Sequence, residues 1–101
     1  MANIIISGIE LMEDDLPQKL SWTDAQTYIS TIGENWRLPK TNEFSIIYNL
    51  YKLRIGGFKP HRYWAKESSG DVAWYHDLRV GFSPHLLNKN ELHYIRLVRD
   101  I

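Results

Sequence analysis

Apolar residues recur along this chain with two different periods, and the change of period marks out its elements. Trp22, Ala25, Tyr28, Ile29 and Ile32 fall three or four apart, the spacing of one helix face. Ser21 and Asp24 form a capping box in which Asp replaces the usual Glu or Gln, and Gly33 sits where a C-terminal cap belongs. The same period returns at Phe44, Ile47, Tyr48 and Tyr51, behind Thr41 as N-cap and with Glu43 in the first turn. Lys52 and Arg54 stand near the end of this second helix, and IGGFKP breaks it. Between the helices NWRLPK must be extended, because a proline pushes the residue before it out of helical geometry.

The remaining segments read as β-structure. NIIISGIELM is β-branched, with Ser7-Gly8 interrupting it, and predicts one strand or two short ones. EDDLPQK follows as a polar connection in which Asp14 and Asp15 are expected to be solvated. RYWAKE reads as a strand, SSGD as a turn, and AWYHDLRV as a strand with Trp74, His76 and Leu78 on one face. GFSPHLLNKNE reads as a loop with a short strand at its start. LHYIRLVRDI closes the chain, with Ile95 and Leu97 facing one way and Arg96 and Val98 the other. Helices early and hairpins late make the class α+β.

Length and charge narrow the picture. The 101 residues suit one domain, spanning 1–101, and at this size roughly 65% of the unfolded chain's surface leaves water on folding. Twelve basic and twelve acidic side chains cancel, which argues against a nucleic-acid protein. With no cysteine, disulfides, thiolate zinc sites and cysteine nucleophiles are excluded. The three-isoleucine run near the N-terminus is shorter than the roughly 7 to 15 apolar residues of a signal peptide, and no window approaches the roughly 20 of a membrane span. A cytoplasmic protein is therefore expected from the sequence as written.

The order of landmarks resembles a known family. A helix opening on a tryptophan, then WRLP, a capped helix with an early glutamate, GGF, YWAKES, AWYHDL and a terminal YIRLVRD together resemble the bacterial Lcl C-terminal-like domains. These are small modules, largely of unassigned function, with a C-type-lectin-like fold. The RLP-Thr-Glu element is also similar to one in formylglycine-generating enzymes, which share that fold but depend on cysteines that this chain lacks. The resemblance covers roughly residues 20 to 100. It implies two helices packed on a small antiparallel sheet, N- and C-terminal strands paired, and a loop region presenting a ligand-binding surface. It also implies frequent export. One departure is His76, where such domains carry an apolar residue.

Candidate chemistry is sparse. Arg37 stands between Trp36 and Leu38, ahead of Pro39. Such a guanidinium either clamps an anion through two parallel hydrogen bonds or pairs internally, and its apolar neighbours favour an internal tie to Glu43 or Asp77. Arg96 and Arg99 are read the same way. Trp22, Trp36, Trp64 and Trp74 are at the phase of core residues, while Tyr63 and Tyr75, on the strand faces opposite Trp64 and Trp74, are expected to be more exposed. His61, His76, His85 and His93 show no metal-ligand spacing, so neither metal nor cofactor is expected. No GxSxG, P-loop or GxGxxG is present, and a non-enzymatic binding module follows, taking a glycan or a protein. Its candidate residues are the polar positions of the late loops: Lys66, Glu67, Asp71, His85, Asn88, Lys89 and Asn90. The alternative is a polyanion or nucleic-acid surface on the acid-free segment 52–66, through Lys52, Arg54, Lys59 and Arg62.

Overall fold

A computed structural model describes residues 2–81 and 84–101. Strands β1 (Ile4–Ile6) and β2 (Ile9–Leu11) form a hairpin. Its two-residue turn, Ser7-Gly8, has φ of 51° and 79°, the left-handed pair that matches strand twist in tight hairpins. Helix α1 is Trp22–Ile32, opened by Ser21, whose hydroxyl accepts from the Asp24 N–H at 3.1 Å. Gly33 ends it at φ 62°. A 3-10 turn, Thr41–Glu43, leads into α2, Phe44–Lys52. Then come β3 (Arg62–Ser69), β4 (Val72–Asp77), β5 (Pro84–Asn88) and β6 (Val98–Asp100).

The strands form two antiparallel three-stranded sheets, ordered β1-β2-β6 and β3-β4-β5, where one small sheet was expected. The chain ends do meet: Ile9 pairs with Asp100, Glu10 with Arg99 and Leu11 with Val98. Part of the expected loop after Gly81 is strand β5, pairing with β4 along its whole length. Pro84 is its first residue, a position where proline costs no ladder hydrogen bond. Residues 82–83 of that expected loop lie outside the described residues.

Two cores lie on either side of β3 and the segment 94–98. One gathers Leu11, Phe44, Ile47, Leu50, Tyr63, Leu78 and Val98. The other gathers Ala25, Trp36, Leu38, Trp64, Tyr75, Ile95 and Leu97. Because successive strand residues point to opposite faces, Tyr63 enters one core and Trp64 the other. This corrects the expected exposure of Tyr63 and Tyr75: both are buried, Tyr63 to 1% exposure, since the strands carrying them are covered on both faces. In the helices the apolar stripe is shifted. Tyr28 is exposed, and Leu50 joins Phe44 and Ile47 as fully buried, while Tyr48 and Tyr51 are half-buried.

His76 fills its buried place as a flat ring. It stacks on Phe44 with centroids 4.3 Å apart and planes 6° from parallel. Burial pushes its pKa down to about 4, so the ring is neutral at pH 7 and behaves there as an aromatic packing surface.

Candidate functional site

Arg37 is 13% exposed in its side chain and makes paired 2.8 Å bonds from Nη1 and Nη2 to the two Glu43 carboxylate oxygens. Nη2 also reaches Asp100 Oδ1 at 2.8 Å, and Nη1 donates to the Leu38 carbonyl at 3.2 Å. Its backbone bonds Val98 in both directions, at 2.8 and 2.9 Å. The residue thus ties the turn before α2 to the C-terminal strand. Asp77, the other expected partner, is instead held by Arg79, with Nη2–Oδ2 at 2.6 Å. Hydrogen bonds to Glu43 raise the Arg37 pKa far above its ordinary value. Burial pushes the Glu43 carboxyl up, but Arg37 and the Lys40 N–H outweigh it and hold the group below the usual range.

Trp36, Leu38, Pro39 and Trp64 are buried, Trp74 half-buried. Arg96, 1% exposed, donates from Nε to Asp15 Oδ1 at 2.9 Å and lies 4.0 Å above the Phe58 ring. Asp15 is not solvated as expected. Its side chain is 4% exposed, and its second oxygen accepts from Tyr63 Oη at 2.8 Å and Lys59 Nζ at 2.9 Å. Burial raises the Tyr63 pKa, and the Asp15 carboxylate adds to that, so the phenol stays protonated as the donor.

Of the seven candidate ligand residues, Asp71, Asn88, Lys89 and Asn90 converge, with Thr23, around a cavity of about 310 Å³. Asp71 lies in the turn joining β3 to β4, Asn88 ends β5, and Lys89-Asn90 form the following turn. The Lys89 N–H donates to the Asp71 carbonyl at 2.9 Å, locking one turn to the other. The Asn90 N–H donates to Asn88 Oδ1 at 2.9 Å. Helix α1 holds the rim from beneath, where the Trp22 N–H reaches the Lys89 carbonyl at 3.0 Å. Lys89 Nζ stands 4.4 Å from the centre of the Trp22 ring, whose own Nε1 donates to the Ala65 carbonyl at 2.9 Å. Thr23, missed from the sequence, is the second helical residue and reaches the rim only because α1 docks there.

The other three stand apart from this cavity. Pairing between β3 and β4 is irregular between Trp64 and Ser68, and there β3 turns toward the 39–41 segment. The Lys66 N–H donates to the Pro39 carbonyl at 2.8 Å, and Glu67 Oε1 accepts from both the Thr41 N–H and hydroxyl at 2.9 Å. Thr41 is therefore not the helix cap that the sequence suggested. Glu67 satisfies its N–H, and the Glu43 side chain accepts from the Lys40 N–H at 2.8 Å. His85 is exposed on β5, with its ring 5.8 Å from that of Tyr75.

The basic segment does not present its cations together. Lys52 and Arg54 line a cavity of about 370 Å³ beside Tyr51 and Phe58, whereas Arg62 lines a different one of about 240 Å³. Lys59 is paired with Asp15, and Arg62 Nε lies 3.6 Å from Asp77 Oδ2. Among the described residues, no group of three or more His, Cys, Asp or Glu could hold a metal ion, and no helix is long and apolar enough to cross a membrane.

The chain is thus a small α+β domain with a polar cavity at one hairpin end. No model of a known protein family matches it, and no curated protein matches it either.

Proposed function

We propose that this chain is a non-enzymatic ligand-binding module of C-type-lectin-like type that recognises a glycan at the Thr23–Asp71–Asn88–Lys89–Asn90 cavity. The observation that carries this reading is the convergence of five polar side chains from three separate segments on one concavity. At about 310 Å³ the cavity is at the lower end of the roughly 300–1,000 Å³ range of small-ligand pockets. A carboxylate, two carboxamides, a hydroxyl and an ammonium supply both donors and acceptors, which is what a ring of sugar hydroxyls requires. The rim is held by backbone hydrogen bonds to α1 and between the two turns, so little ordering cost falls on binding.

A glycan array read with the intact chain and with N88A and N90A variants tests the proposal. Binding that appears on the array and falls about tenfold or more in either variant supports it. An array silent at all glycans, with or without calcium, overturns the glycan reading, and a partner protein recovered by pulldown would then favour protein recognition.

A further inference from the structure

The 240 Å³ cavity lies at the side of β3 and collects cations that the glycan reading does not use. Lys19, His61, Arg62, Arg79, His93 and Tyr94 line it, and no carboxylate does. Of these only His61 and Arg62 belong to the acid-free segment 52–66 read from the sequence.

Asp77 organises the two guanidiniums. Arg79 meets it side-on, with Nε to Oδ1 at 2.9 Å and Nη2 to Oδ2 at 2.6 Å, while Arg62 approaches Oδ2 at 3.6 Å and packs 5.2 Å from the Tyr75 ring centre. A guanidinium carries five N–H donors in a rigid fork, and one shared carboxylate cannot engage two forks fully. Lys19 adds a third permanent charge, its Nζ 5.1 Å from the centre of the Tyr94 ring, and His61 stacks on the same ring at 5.4 Å. His93 packs edge-on against Trp64 at 5.3 Å and bonds Glu91 through Nε2 at 3.0 Å. Three cations therefore face one concavity, while the carboxylates of Asp77 and Glu91 stand outside its lining. Burial lowers the His93 pKa, so its ring is neutral at pH 7.5 and leaves the Glu91 charge in place, and the local surplus is one positive charge.

We infer that this cavity is a binding site for a phosphate monoester, seated between Arg62, Arg79 and Lys19. Three terminal oxygens give both guanidiniums and the ammonium an acceptor each, and no carboxylate lines the cavity to oppose a second ligand charge. A carboxylate lacks the third oxygen, and a sulfate ester, with the same three, brings one charge fewer to the three cations. Asp77 acts as a positioning residue here, because it fixes both guanidiniums before the ligand arrives.

The test is a titration of phenyl phosphate, and separately of phenyl sulfate, into the isotope-labelled chain at pH 7.5 and 150 mM salt, followed by amide chemical shifts. Saturable shifts at Lys19, Arg62, Arg79 and His93 are expected, with phenyl phosphate at least about tenfold tighter than phenyl sulfate. R79Q and K19Q should each weaken phenyl phosphate about fivefold or more, and K89A should leave it unchanged. K19Q keeps the test decisive if R79Q disturbs the fold, since Lys19 is exposed and packs on the Tyr94 face. Shifts that do not saturate, that spread equally to Lys52 and Arg54, or that are the same for both esters overturn the site. The glycan proposal is untouched by that failure, because its cavity and variants are different.

Discussion

The arginines of this domain fall into two groups that behave differently. At the seam where the chain ends meet, Arg37 has Glu43 and Asp100, Arg96 has Asp15, and Arg99 has Glu10 at 2.9 Å while covering Trp36 at 4.3 Å. Among these contacts no two guanidiniums share a carboxylate, although Asp15 also holds Lys59. At the hairpin wall Arg62 and Arg79 divide one carboxylate between them. The same side chain is thus a tie in one place and an open donor in the other. What decides is how many carboxylates the fold delivers within reach, since a buried charge is tolerated only when paired and an exposed one can wait for a partner from outside.

The largest expected effect lies at the seam. Replacing Arg96 with Met leaves the buried Asp15 carboxylate short of its principal counter-charge and should cost about 3–5 kcal/mol, read as a lowered midpoint of urea unfolding. A loss below about 1 kcal/mol would erase the distinction between the two groups.

Acid should find the closed side next. His76 has its pKa lowered to about 4 by burial, below the unfolded value near 6.5, so the unfolded chain takes up a proton first. Stability contributed by the neutral ring is complete above pH 6.5 and declines as pH falls toward 4, by about 3 kcal/mol in all. His76→Phe should flatten that part of the pH profile relative to the parent chain. Asp77, drawn down to about 2 chiefly by its hydrogen bonds to Arg79, holds its contribution to lower pH and loses it as pH falls from about 4 through 2.

The Arg37 tie can then be divided. Glu43→Gln removes a paired carboxylate that is 13% exposed and should destabilise by about 2 kcal/mol. Asp100→Asn removes one that is 72% exposed and should cost clearly less, with the loss lessened further by salt. Equal losses would mean that Arg37 depends on Asp100 of β6 as much as on Glu43 of the turn before α2. The smallest change in stability is expected at the wall, where Lys19→Gln should move the unfolding midpoint within about 0.5 kcal/mol of the parent. The contrast between Arg96→Met and Lys19→Gln sharpens the comparison most directly.

Much of this was legible in the chain. Period and capping placed α1 from Trp22 to Ile32, and the Trp36–Pro39 signature suggested an internal tie at Arg37 to Glu43 or Asp77, of which Glu43, six residues away, is the partner found. Four of the seven candidate ligand residues meet at one cavity, because in an antiparallel β3-β4-β5 sheet the β3–β4 turn and the segment leaving β5 lie at the same end. Lys66 and Glu67 were misplaced because an irregular stretch of β3 has no periodic signature. His93 and Arg79 were passed over because they lie fourteen residues apart with no motif between them.

Local chemistry therefore determined the elements: where helices start and stop, which residues refuse a helix, and which side chains are apolar enough to be buried. These follow from forces that act over one or two turns of chain, so the order of residues is enough to read them. Only the tertiary structure decided that β3 would be covered on both faces, that Asp15 would meet Arg96 across 81 positions, and that one carboxylate would face two arginines. Those outcomes depend on how sheets and helices dock. Packing brings together side chains whose separation along the chain carries no information about their distance in space.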